Sequence, residues 1–112
     1  MQINISARHG HLSTQTQQLV TEKVQKVQRF HDRINSILVT CDLEHRDQPQ
    51  VEVQVTVEHA GEFVATDSDS SLIGALDRVV HKIEQQLRKH KEKITEHRAP
   101  GHRQLASDME TE

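Results

Sequence analysis

Tryptophan and tyrosine are missing from this chain, and Phe30 and Phe63 are its only aromatics. A core must therefore be built from Val, Ile, Leu and Ala, and recognition by stacking bases on a row of aromatic rings is excluded as a main mode. One cysteine, Cys41, cannot form an internal disulfide, and its place in an alternating apolar segment marks it as packing in a reducing compartment. With 112 residues, among them only two prolines and four glycines, the chain is long enough for one domain with a single two-layer core and too short for a deep catalytic cleft between domains. No apolar run approaches the roughly 18 residues of a membrane span, and no basic-then-apolar leader opens the chain. No Gly-rich phosphate loop, cysteine pair, nucleophile elbow or His-Glu-x-x-His is present, which leaves an enzyme reading without support and calls for no cofactor.

What is present is uneven charge. The whole chain carries a formal charge of −3, yet residues 78 to 98 hold seven Lys or Arg against three Glu. These cations sit on a stretch with helical periodicity. Leu72, Leu76, Val79, Ile83, Leu87 and Ile94 form one stripe, with Arg78, Lys82, Lys89 and Lys93 on a second stripe beside it. Such polarity points to a polyanion docked on one edge of the domain.

The remaining elements follow from period. Gln2 to Ala7 alternates as a first strand. Arg8 to His11 reads as a turn, whose His9 and His11 have no third ligand at fixed spacing, so no metal site is assigned. Ser13 caps a helix with Leu19, Val20, Val24, Val27 and Phe30 on its apolar side and Lys23, Lys26 and Arg29 exposed, ending near His31. Ile34 to Glu44 is a second strand with Ile37, Val39, Cys41 and Leu43 inward. Val51, Val53, Val55 and Val57 mark the third, and Phe63 and Ala65 a shorter fourth. Of the run Asp67 to Ser71, any of Asp69, Ser70 and Ser71 can cap the last helix, and the acidic groups suit its positive N-terminal end.

The expected fold is therefore α+β in the order β-α-β-β-β-α. It has a four-stranded mixed sheet whose first two strands are parallel, and both helices pack on one face. Residues 1–97 form the domain. Pro100-Gly101 breaks the pattern, and 98–112 is expected to be a flexible acidic tail.

Gln2-Ile3-Asn4-Ile5-Ser6, the loop Arg8-His9, Lys23 and Lys26 before Phe30-His31-Asp32-Arg33-Ile34, Ala75-Leu76-Asp77 and Gln86-Leu87-Arg88-Lys89-His90-Lys91-Glu92-Lys93 stand together in order over nearly the whole chain. In these segments the chain resembles the short ribosome hibernation promoting factors, also called ribosome-associated inhibitors. The resemblance implies a fold like double-stranded RNA-binding domains with an added first strand. It also implies a cytoplasmic protein, monomeric when free, with neither membrane nor small-molecule partner. Such a protein binds the small ribosomal subunit and its rRNA at the decoding region, overlaps the messenger and transfer RNA sites and inhibits translation under stress or in stationary phase. On that resemblance, Lys82, Lys89, Lys91 and Lys93, supported by Arg8, Lys23 and Lys26, meet rRNA phosphates. Arg78 and Arg88 join them on charge and position. The pattern departs from the family at Ile73, Ser71 and Gln85, where Tyr, Asp and Arg are common, and the long form's second, dimerising domain is not in this sequence. A generic structured-RNA binder and a module docking an acidic protein are the alternative readings.

Overall fold

A computed structural model describes residues 2–98. Its elements are β1 (Gln2–Arg8), α1 (Thr14–Gln25) continued by a 3-10 turn (Lys26–Phe30), β2 (Ile34–Asp42), β3 (Gln50–Val57), β4 (Gly61–Ser68) and α2 (Leu72–Arg98). The four strands lie side by side in sequence order, with β1 parallel to β2 and the other two pairs antiparallel. The expected 98–112 tail falls, except for Arg98, outside the described residues.

Alternation decides which face is dry. Ile37, Val39 and Cys41 of β2, and Val51, Val53, Val55 and Val57 of β3, are fully or almost fully buried. They meet Val20, Val24 and Val27 from the first helical segment and Leu76, Val79, Ile83 and Leu87 from α2 in one continuous core. Both helices therefore cover the same face. Each fully buried Val, Leu or Ile contributes about 1.5–3 kcal/mol, so an all-aliphatic core suffices without Trp or Tyr. The opposite face is wet, with Ser6, Thr40, Glu52 and Thr66 aligned across all four strands.

Both helices start on side-chain caps. Ser13 Oγ accepts from the Thr16 amide at 3.1 Å, and Ser71 Oγ accepts from the Gly74 amide at 2.9 Å. Gly74 is constrained by this second cap, because a Cβ there would collide with the Asp69 carboxylate and with Ser71 Oγ. At the β3–β4 turn, His59 and Gly61 adopt φ values of 63° and 89°, a left-handed path that turns the chain tightly.

Three expectations change. Strand β4 has eight residues and is as long as β3, because its alternation runs on through Asp67. Leu19, given to the apolar side of α1, is 41% exposed, since Val20 and Val24 already fill the contact with the sheet. Leu43 lies just past the end of β2, half-buried against Gly10, with its amide bonded to the Arg8 carbonyl at 2.9 Å.

Candidate nucleic-acid interface

The long helix α2 presents its basic side chains because its apolar positions are committed to the sheet. Leu76, Val79, Ile83 and Leu87 have no solvent exposure, and this leaves Arg78, His81, Lys82, Gln85, Arg88 and Lys89 on the exposed side. Glu84, the acid within that stretch, is half-buried. Four cations on about three turns make a ridge of like charge facing water.

Part of that charge is already answered from within. Asp67 follows Phe63 and Ala65 in alternation on β4, so its carboxylate rises on the helix side of the sheet rather than capping α2. Its Oδ2 lies 3.1 Å from Arg78 Nε and 3.2 Å from Lys82 Nζ. The Ser68 amide first, then Arg78 and Lys82, hold the Asp67 carboxyl down at about 2. Lys82 also donates to the Thr66 carbonyl at 3.1 Å, and one turn on Gln86 donates to the Val64 carbonyl at 3.0 Å. A helical rise over four residues nearly matches the strand rise over two, and so α2 takes up two carbonyls of the β4 edge.

The first helical segment contributes on the other flank. Lys23 Nζ sits 2.9 Å from Asp77 Oδ1, tying α1 to α2, while Lys26 begins the 3-10 turn in an exposed position. Lys91 lies on this flank beside His31, the residue after the 3-10 turn. The helix backbone continues through Lys93, whose side chain is outside the described set.

Arg8 is not brought to this ridge. Parity puts it on the wet face of the sheet, where with Ser6, Thr40, Asp42 and Glu52 it lines a shallow polar hollow. The nine cations named from the sequence thus divide into an α2 ridge of Arg78, Lys82, Arg88 and Lys89, a helix-flank group of Lys23, Lys26 and Lys91, and the separate Arg8, with Lys93 undescribed at its side chain.

Other groupings come only from the fold. Parallel pairing sets Arg8 opposite Asp42, and His9, at φ 60°, aims Nδ1 at the Asp42 carboxylate, 2.9 Å away, with Glu44 nearby. His11 is not in that cluster. The His9 hydrogen bond and the Glu44 amide lower the Asp42 pKa. At the far end of the helix layer, the His31 and His90 rings stack with centroids 5.6 Å apart, and Phe63 meets His90 edge-on at 5.4 Å.

The described residues form a two-layer α+β domain with a basic helix ridge on its exposed side. The sequence profile of the family described as Sigma 54 modulation protein / S30EA ribosomal protein matches residues 3–95, and this chain belongs to that family. Relatives called ribosome hibernation promoting factor include one from Pseudomonas putida, 33% identical over 93 residues that cover 83% of this chain and 89% of the relative. One from Azotobacter vinelandii is 34% identical over 110 residues, covering 97% and 99%. Among solved structures, the Protein Y N-terminal domain of Thermus thermophilus superposes with a TM-score of 0.72 at 23% identity, covering 80% of this chain and 99% of its own. A ribosomal subunit interface protein from Coxiella burnetii gives 0.74 at 22%, covering 82% and 99%. Those two likenesses concern the fold.

Proposed function

We propose that this protein is a ribosome hibernation factor of the cytoplasm, which binds the small ribosomal subunit through rRNA phosphates, occupies the decoding region and shuts messenger and transfer RNA out. The observation that carries the reading is the α2 ridge, a dense line of cations on a chain of net negative charge, in a member of a family whose named relatives promote ribosome hibernation. The ridge suits a backbone-reading partner. Arg and Lys tips match phosphates without selecting bases, and the wet sheet face lacks the aromatics of a base-stacking RNA binder. Lys23, Lys26, Lys91 and Lys93 extend the contact along the helix layer, and Arg8 adds a contact from the sheet side. The free protein acts as a monomer.

Replacing Arg88 and Lys89 with Glu in one protein is the direct test, since both are exposed and their reversal leaves the core untouched. Circular dichroism should stay native while co-sedimentation with purified small subunits and inhibition of translation both fall by at least tenfold. A folded variant that inhibits at full strength would sink the assignment. Binding to naked duplex RNA as tight as to small subunits would instead favour a generic structured-RNA binder.

A further inference from the structure

We propose that His31, stacked on His90, is a proton-linked part of the RNA-facing surface that takes up a proton when phosphate docks beside it, so that affinity for the small subunit rises as pH falls below 7. The inference deepens the reading above and rests on it.

Three contacts disfavour a charge on His31. The rings are stacked at 5.6 Å, a distance at which two imidazolium charges repel. Phe63, from the helix-facing side of the sheet, meets His90 edge-on at 5.4 Å and adds an apolar wall beside the stacked rings. His31 Nδ1 accepts a hydrogen bond from the Arg33 amide at 3.1 Å, a bond that a proton on that nitrogen would break. The charged neighbours agree. Lys91 of α2 and Arg33 of the β2 approach oppose a positive His31, while Asp32 favours one. Arg33 is itself drawn to Glu58 at 3.6 Å. Burial first, then His90 and Lys91, lower the His31 pKa below its ordinary value.

Phosphate brought against Lys91 reverses this field. With the anion close, the penalty on a positive His31 turns into an attraction, and His31 takes up a proton. Linkage fixes the sign. Because His31 is depressed in the fold, the free protein is fully stabilised above the unfolded value near 6.5 and loses that contribution as pH falls below it. The complex moves the opposite way, gaining up to about tenfold in affinity for each unit by which docking raises a histidine pKa.

The test compares binding to purified small ribosomal subunits at pH 7.5 and pH 6.0, at one salt concentration, for the native protein and for His31→Gln with His90→Gln. The native protein should bind three- to tenfold tighter at pH 6.0 and the variant should lose most of that gain. Calorimetry at pH 6.5 in two buffers of different ionisation enthalpy supplies a readout that needs no variant, and uptake of about half a proton per complex is expected. Affinity flat in pH, no proton uptake, or an equal gain in a folded double variant overturns the proposal. Steep salt dependence at pH 7.5 with a flat pH response removes this inference and leaves the RNA reading standing, whereas absence of binding at pH 7.5 removes both.

Discussion

Asp67 ties the sheet to the helix through Arg78 and Lys82, and Asp67→Asn measures that tie. Its carboxyl sits at about 2 in the fold against an ordinary 3.8, so its contribution is present above 3.8 and is lost as pH falls through 2. The Asn variant should be less stable than the native protein at pH 7, and the gap should close between pH 4 and pH 2 in denaturant titrations. A gap independent of pH would mean that packing, not charge, is lost. Cys41 offers a second residue-level check. Only 1% exposed, with burial pushing its thiol up to about 11, it should resist thiol reagents at pH 8 in the native protein and react at once in denaturant. The apolar setting of Cys41 was legible in the sequence because alternation alone placed it inward. The partner of Asp67 was not, because the short segment after Ala65 satisfies both a strand period and a cap motif, and only the sheet register separates them. His31 and His90 lie 59 residues apart, and no local pattern announces such a pair.

At the level of elements, α2 is held by burial along one side and by a cap at its start. Val79→Asp with Ile83→Asp sets two unpaired carboxylates into a core with no exposure at either position, and circular dichroism should report an unfolded or insoluble protein. Ser71→Ala should cost about 1 kcal/mol in urea unfolding, the usual worth of an N-cap side chain. The element order and the shared helix face could be read from two periods, 2.0 and 3.6, because each amphipathic element has one place to bury its apolar side. The β4 edge could not. The fit of Lys82 and Gln86 to carbonyls two residues apart depends on how closely α2 lies along the strand, a tertiary distance that no local period encodes.

For the whole molecule, charge separation makes binding an ionic-strength measurement. If the four ridge cations each neutralise one phosphate, the logarithm of the binding constant should fall with the logarithm of salt at a slope of about −3. Titrations of small-subunit binding across potassium chloride give that slope directly, and a value near zero would defeat an electrostatic contact. The four-stranded sheet carries a different consequence. Two of the carbonyls on β4 are spoken for by α2, and a sheet can grow only through edges that still offer such groups. In the language of polymer chemistry the two edges are unequal ends: a strand added at β4 would have to displace the Lys82 and Gln86 side chains from their carbonyls, whereas one added at β1 would meet no such competitor from α2.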